Sequence, residues 1–201
     1  MRTTIPVLLL LTQLSVLHCS SPSTIAGSGV ETTNARITGY AYYPDALPAY
    51  GAWATLWPSD HDATPQRAGT AKSGAVGSSY LVGRDGRFEI PSVDSGKYRI
   101  ELRDNQSYAT LFAAVVGMGD AGQELGADTL RPCGTIVGKL YPPIESGPGS
   151  ATRRYVSVLG LNSFAYAHPD GNFVLTAIPR GTHTLRLTLY AEGSPARTRD
   201  T

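Results

Sequence analysis

The sequence predicts an all-β fold of two tandem antiparallel β-sandwich modules. A ladder of residues in 85–102 recurs 85 positions later, in 170–187, with the same spacing between every matched pair. Apolar and polar residues alternate with the period of two that half-buried strands require, and no segment has a convincing helical period. Two copies of one β unit therefore follow each other in the chain. The matched pairs are Asp85/Asp170, Gly86/Gly171, Phe88/Phe173, Ile90/Leu175, Val93/Ile178, Gly96/Gly181, Tyr98/His183, Ile100/Leu185 and Leu102/Leu187.

Each copy of the ladder is predicted to form a strand, a short turn and a second strand. Asp85–Gly86 is a turn signal, because glycine adopts positive φ freely and aspartate bonds nearby backbone. Residues 87–90 alternate as a half-buried strand, 91–96 are predicted to form the next turn, and 98–102 alternate again. In the second copy, the turn falls at 178–181.

The flanking segments extend both modules, but unequally. Opening strands are predicted at 36–40 and 135–139, and closing strands at 108–116 and 123–130, which gives the first module about seven strands. The second module shows no counterpart of the closing strands, since 191–201 is polar and has no strand pattern. We therefore expect either an incomplete second sandwich or, as the favoured explanation, a truncated reading frame.

The N-terminus indicates export. Residues 1–18 are predicted to be a signal peptide, with Arg2 before an apolar stretch that is too short to span a bilayer of about 30 Å. The segment ending in Cys19 resembles a bacterial lipobox, although His18 stands where that pattern has a small residue; simple secretion is the alternative. The resemblance implies lipidation of Cys19, and Ser20 implies an outer-membrane anchor. Residues 19–34 are expected to be a flexible tether.

Three motifs resemble the carboxypeptidase regulatory-like domains, which are small transthyretin-like or prealbumin-like sandwiches. These motifs are Gly51–Leu56, Asp85–Ile90 and Gly96–Ile100. The leader and the tether resemble those of Fibrobacter-type lipoproteins that carry such domains. The resemblance implies a prealbumin-like or Ig-like fold and a non-catalytic role. The predicted domains are module 1 at 35–132, with an insertion at 59–79, and an incomplete module 2 at 133–190, followed by a polar tail at 191–201.

Charge and motif content argue against several functions. Lys and Arg number 17 against 16 Asp and Glu, and only Arg2 lies in the leader, so the mature chain is formally neutral. Neutrality argues against nucleic acid or an anionic membrane surface as a partner. No nucleophile elbow, His-Glu-x-x-His helix or Cys-x-x-Cys pair occurs, so no enzyme and no cofactor is predicted. Asp60–Asp62 is interpreted as solvated loop charge rather than a metal site.

An aromatic surface is the one binding candidate. If Ala52, Ala54 and Leu56 face the core, Trp53 and Trp57 lie on the opposite face, roughly 13 Å apart at a strand rise of ~3.3 Å per residue. Flat indoles at that spacing could stack on two or three sugar units. Alternatively, the rings cover a sheet edge or pack under the insertion or against the second module. The carbohydrate-contact candidates are Trp53, Trp57, Tyr42 and Tyr43, with Tyr50 nearby in sequence.

The leading functional hypothesis is a non-catalytic cell-envelope lipoprotein that serves as a spacer or interaction scaffold. The first alternative is a carbohydrate-binding module that uses Trp53 and Trp57. The second is an accessory domain of a truncated or separately encoded enzyme. The expected partners are the membrane, through an N-terminal lipid anchor, and either polysaccharide or another envelope protein.

Overall fold

The computed structural model describes residues 35–63, 77–142, 153–190 and 197–201. The predicted signal peptide, Cys19, the tether and most of the insertion lie outside these ranges. Every regular element in the described ranges is a β-strand, so the all-β prediction is confirmed. Within the same ranges, no helix has the length and apolar character needed to cross a membrane.

The first sandwich is built from eight strands. One sheet has the order β4-β1-β7 and the other has the order β3-β2-β5-β6-β8. All neighbouring strands are antiparallel except β1 and β7, which run parallel, a pairing that the sequence did not predict. The strands are β1 (Ala35–Tyr42), β2 (Trp53–Pro58), β3 (Ser79–Leu81), β4 (Arg87–Val93), β5 (Gly96–Arg103), β6 (Tyr108–Val116), β7 (Gly122–Thr129) and β8 (Arg131–Pro132).

The second sandwich has six strands in the described residues. A two-stranded sheet, β12-β9, packs on a four-stranded sheet with the order β11-β10-β13-β14, and both sandwiches belong to one compact unit. All pairs in this half are antiparallel. The strands are β9 (Gly134–Lys139), β10 (Arg153–Val158), β11 (Ser163–Tyr166), β12 (Asn172–Ile178), β13 (Leu185–Tyr190) and β14 (Arg197–Asp200).

Several local predictions are wrong. The tail was expected to contain no strand, but Arg197–Asp200 forms β14 and pairs with β13. All four residues of β14 are exposed, so this edge strand carries no apolar alternation that could be recognised. The short strand β11 was not predicted either. Strand β4 continues through Pro91 to Val93, so the following turn is shorter than the predicted 91–96.

In both copies, the ladder phenylalanine packs over a glycine of the opening strand. A Cβ built on Gly39 would lie 2.7 Å from the Phe88 ring, and a Cβ on Gly138 would overlap the Phe173 ring even more closely. Gly39 is the direct partner of Phe88 across β1 and β4, as Gly138 is of Phe173 across β9 and β12. Only glycine leaves room for the phenylalanine ring at this position of the opening strand, and both copies have glycine there.

A bulge and a ring-to-backbone bond also recur. Ser92 and Ala177 have φ of 56° and 57°, and in both copies the strand register shifts at this point. Tyr98 Oη donates to the carbonyl oxygen of Asp94 at 3.0 Å, and His183 Nε2 lies 2.7 Å from the carbonyl oxygen of Pro179. His183 thus takes the place of the tyrosine in the same contact four residues back, although it lies in the loop before β13 rather than in the predicted strand.

The two hydrophobic cores differ in how completely they are enclosed. The first core is closed by its own strands: Ile37, Ile100 and Leu102 have no exposed surface. In the second core, Ile136 is only partly buried, as are Leu185 and Leu187, the counterparts of Ile100 and Leu102. Two residues from the first sandwich, Trp57 and Leu111, pack against this second core.

Candidate functional site

Strand β2 presents its aromatic residues as the alternation predicts. Ala54 and Leu56 are buried, whereas Trp53 and Trp57 point to the other face of the sheet. Trp53 is 49% exposed, but Trp57 is partly buried. The two indoles therefore share a face without sharing an environment.

The Trp57 side chain lies at the junction of the two sandwiches. Its ring stacks on His61 with centroids 4.6 Å apart and an interplanar angle of 24°, and it packs against the second core. Its Nε1 is buried and has no hydrogen-bond partner among the described residues. This is the alternative in which the ring packs against the second module, and it removes Trp57 from an open aromatic platform beside Trp53.

The predicted tyrosines do not extend a surface around Trp53 either. Tyr43 packs on the first core and donates a hydrogen bond to Asp104 Oδ2 at 3.2 Å. Burial, reinforced by the Asp104 carboxylate, raises the pKa of Tyr43. Tyr42 is half-buried and lies close to the turn at Gly86. Tyr50 is exposed, and its ring lies beneath the guanidinium of Arg84 at 5.9 Å.

A shallow cavity of about 280 Å³ opens beside Trp53. Its other walls come from β3, from the outward face of β5 and from the loop that follows β5, so one aromatic ring is combined with carboxylate, guanidinium, amide and hydroxyl groups. We call it the Trp53 groove. It is lined by Trp53, Thr55, Ser79, Glu101, Arg103, Asp104 and Asn105.

The polar walls of the Trp53 groove are held in place by hydrogen bonds. Thr55 Oγ1 and Ser79 Oγ are 2.8 Å apart, and Arg103 donates to Glu101 from Nε at 2.8 Å and also from a terminal nitrogen. Asp104 Oδ1 accepts backbone N–H bonds from Gln106 in the loop that follows β5 and from Tyr108 at the start of β6, both at 2.8 Å. A preorganised set of this kind lowers the entropic cost of binding a polar ligand.

The sequence did not single out the groove residues outside β2. Glu101 and Arg103 alternate outward on β5, and Trp53 pairs directly with Arg103 across the sheet. The alternation of β5 was recognised from the sequence, but its position beside β2 depends on the order of strands in the sheet, which the ladder alone does not determine.

The Asp60–Asp62 segment is part of the junction, and the interpretation of it as solvated loop charge is wrong for Asp62. Ser157, which is fully buried, donates to Asp62 Oδ1 at 2.6 Å, and Arg186 lies 3.7 Å from Asp62 Oδ2. The Gly160 N–H also donates to the His61 carbonyl oxygen at 2.9 Å. Across the described ranges, no cluster of His, Cys, Asp or Glu could hold a metal ion.

A second part of the junction is centred on Arg103. Besides Glu101, its guanidinium donates to the carbonyl oxygen of Ala177 at 2.6 Å and approaches Cys133 Sγ at 3.5 Å. Cys133 is a free thiol. Burial raises the pKa of Cys133 and outweighs the opposing influence of Arg103, so the thiol is less ionised than an exposed one.

A group of aromatic side chains that the sequence analysis did not single out lies on the second sandwich. Phe164 and Tyr166 are two residues apart on β11 and are 39% and 44% exposed, and Tyr155 of the neighbouring β10 is buried beneath them. The three rings meet edge to face, with centroids 5.8–6.4 Å apart. The alternation of Phe164 and Tyr166 was the available signal, but the segment is too short to identify as a strand.

Comparison with known proteins identifies no family. The sequence matches no family model, and no curated protein matches it. Among solved structures, a streptococcal ancillary pilin is similar over 85% of this chain and 59% of its own, with 11% identity and a TM-score of 0.33. This chain thus spans less than two thirds of the pilin.

Two further solved structures are similar over almost their whole length. A DUF3823 family protein from Parabacteroides merdae is 15% identical over 82% of this chain and 97% of its own, with a TM-score of 0.28. A candidate carbohydrate-binding protein from Bacteroides uniformis is 8% identical over 84% of this chain and 99% of its own, with a TM-score of 0.30.

Proposed function

We propose that the protein is a non-catalytic scaffold that holds two β-sandwich modules in a fixed relation outside the cell. The bonded junction is the observation that carries this proposal. Asp62 of the first half binds the buried Ser157 and lies beside Arg186 of the second half, while Trp57 packs into the second core. A linker alone would leave the modules free to rotate, whereas these contacts resist rotation.

The contacts between the two sandwiches involve backbone, polar and apolar groups at separate points. Contacts at separate points restrict relative rotation more than one contact would. Asp62 pairs with Leu161 as an isolated parallel bridge, and Arg103 at the end of β5 donates to the Ala177 carbonyl oxygen at a separate point. Together with the packing of Trp57 on the second core, these two separated points of attachment restrict both rocking and twisting. We retain an N-terminal lipid anchor at Cys19 as part of this proposal, so the rigid unit would project from a membrane.

Distance measurement between spin labels tests the rigidity. Labels at Ser95→Cys and Thr182→Cys, both exposed positions on different sandwiches, can be introduced in a chain whose Cys19 and Cys133 are serines. We expect one narrow distance distribution from double electron–electron resonance. A broad distribution in this chain, which keeps Trp57, Asp62 and Arg103, would contradict a rigid junction.

Junction variants in the labelled chain identify the cause. Trp57→Ala combined with Asp62→Ala should broaden the distribution, because both the apolar and the polar contacts are lost. Trp53→Ala is the matched control, since it removes an indole from the same face of the same strand but leaves the packing of Trp57 on the second core and the Asp62 contacts intact. An equal broadening in both variants would show that β2 as a whole, rather than the junction, sets the distance.

A second candidate function is carbohydrate binding in the Trp53 groove. The supporting observation is an indole that is 49% exposed beside Glu101, Arg103 and Asn105. An indole face stacks on the C–H face of a sugar ring, and neighbouring polar groups can bond its hydroxyls. Because Trp57 is engaged at the junction, this proposal involves one stacked sugar rather than a two-indole platform.

Pull-down on insoluble polysaccharides and a glycan array test the second candidate. Trp53→Ala should abolish retention, whereas Tyr50→Ala should leave it unchanged, because Tyr50 is an equally exposed aromatic that does not line the groove. Retention that survives Trp53→Ala, or no retention of the unaltered protein on any glycan, would refute this candidate without affecting the scaffold proposal.

A further inference from the structure

Strand β9 has an edge that its counterpart in the first sandwich does not leave open. In the first sandwich, β1 lies between β4 and β7. In the second, β9 pairs with β12 alone, as far as the described residues extend. The equivalence of β1 and β9 rests on the repeated glycine, since Gly39 lies under Phe88 as Gly138 lies under Phe173.

The backbone groups along this edge point away from β12. Leu140 N–H donates to the Gly171 carbonyl, as Ala41 N–H donates to the Gly86 carbonyl in the first sandwich. Successive residues of a strand direct these groups to opposite sides, so the groups of Thr135, Val137 and Lys139 face the open edge. Unpaired groups in a row are a template for another strand.

Several side chains of β9 are also more exposed than those at the matching positions of β1. Ile37 on β1 is fully buried, but its counterpart Ile136 is only partly buried. Val137 on the outer face is 72% exposed, and Val174, its partner on β12, is 49% exposed. Lys139 is the single charge on β9, so charge protects this edge from pairing at one end only.

We propose that the open edge of β9 accepts an extended segment of a partner protein, which pairs parallel to β9 as β7 pairs with β1. Strand β7 defines the chemistry of that segment. It contains Glu124 and Asp128 but no lysine or arginine, and its Leu125 packs on the first core. The partner segment is therefore extended and acidic, with an apolar residue directed at Ile136, and it complements Lys139 of β9.

The register follows from the first sandwich. Arg36 is level with Gly122, and Thr38 is level with Glu124. Transferred to β9 through the glycine equivalence, these positions are Thr135 and Val137. The partner segment would bond to the backbone of both and place its apolar residue over the partly covered core.

The probe is a peptide that contains β7 and its flanking residues, 119–130 of this chain. Added to the full chain, it should slow hydrogen exchange of the Thr135, Val137 and Lys139 amides by about tenfold or more. A scrambled peptide of the same composition should leave these rates unchanged. Failure of the β7 peptide to slow them would overturn the proposal. Protection of these amides in the chain alone would also overturn it, because the chain or a second copy would then cover the edge.

Proline substitution separates strand pairing from side-chain contact. Val137→Pro removes an N–H that β12 does not use, and proline is tolerated where the N–H side of an edge strand faces solvent. We expect this variant to stay folded, as checked by near-UV circular dichroism, and to lose peptide protection at Thr135 and Lys139. Val137→Ala keeps the N–H and should retain the protection. Thr135→Pro is a second block if Val137→Pro does not fold, and protection that persists in a folded proline variant would overturn the proposal.

Discussion

The two sandwiches share one ladder of residues but differ in self-sufficiency. The first encloses its core with its own strands, including β6 and β7. The second leaves Ile136 partly uncovered and is completed by Trp57 and Leu111 from the first. A sequence repeat can therefore reproduce the local geometry of strand, glycine contact and bulge without reproducing an independent core.

The largest expected difference between the halves comes from the matched phenylalanines. Phe88→Ala should lower the free energy of unfolding by about 3–5 kcal/mol, because a fully buried ring leaves a cavity. Phe173→Ala should cost less, since the surrounding core is more open and can collapse. Urea unfolding of both variants measures this. Equal losses would show that the second core is as tightly packed as the first.

The glycines beneath these rings should give the next largest effect. Gly39→Ala places a methyl group 2.7 Å from the Phe88 ring and should cost about 1–3 kcal/mol in unfolding free energy. Adding Phe88→Leu should recover part of this loss by making room. Gly134→Ala is the matched control, because the nearest atom to its Cβ is 3.8 Å away. If Phe88→Leu gives no recovery, strain in the strand rather than the ring is responsible.

A smaller loss of stability is expected when the hydrogen bond of Tyr98, or the matching contact of His183, is removed. Tyr98→Phe removes the hydrogen bond to the Asp94 carbonyl and should cost about 0.5–1.5 kcal/mol. His183→Phe removes the corresponding contact to Pro179 and should cost a similar amount. Chemical denaturation of the two variants compares them. A negligible cost for His183→Phe would mean that the second copy keeps the contact without depending on it.

The smallest effect concerns the exposed strand β14, which departs most from the sequence prediction. The hydrogen bond from Arg186 holds the pKa of Asp200 below its ordinary value. A depressed pKa in the folded state contributes stability that is present above the unfolded value and is lost as pH falls through the folded one. An NMR titration should therefore show the Thr198 amide shifting together with Asp200 in acid, below about pH 4.

Removal of the arginine provides the control for this titration. In Arg186→Gln, the pKa of Asp200 should return towards its ordinary value, and the Thr198 shift should move with it. If the Thr198 amide shifts at the same pH in Arg186→Gln as in the unaltered chain, the pairing of β14 does not depend on this ion pair.

The sequence predicted the elements whose alternation is set by one half-buried face. It identified β1, β5 and the strand after each Asp-Gly turn, and it placed Ala54 and Leu56 in the core. It could not identify β14, because polar residues on both faces leave no alternation. It also could not decide between open and packed positions for Trp57, since that depends on where the second sandwich docks.

The candidate site was predictable only in part for the same reason. Trp53 was found because a large aromatic at an outward position is visible in sequence. Glu101 and Arg103 join it through the pairing of β2 with β5, a contact between residues almost fifty positions apart in the chain. Such long-range neighbours carry no local signal.

The dependence of the second core on Trp57 sets an order for biosynthesis. Chains are made from the N-terminus, and domains generally fold in that order as they emerge. The first sandwich can enclose its core before β9 is synthesised. Its Trp57 and Leu111 then form a folded surface against which the later strands can pack. In a circular permutant that begins with β9, the second sandwich would be synthesised before that surface exists, and its apolar residues would stay exposed. We therefore expect this permutant to aggregate during synthesis.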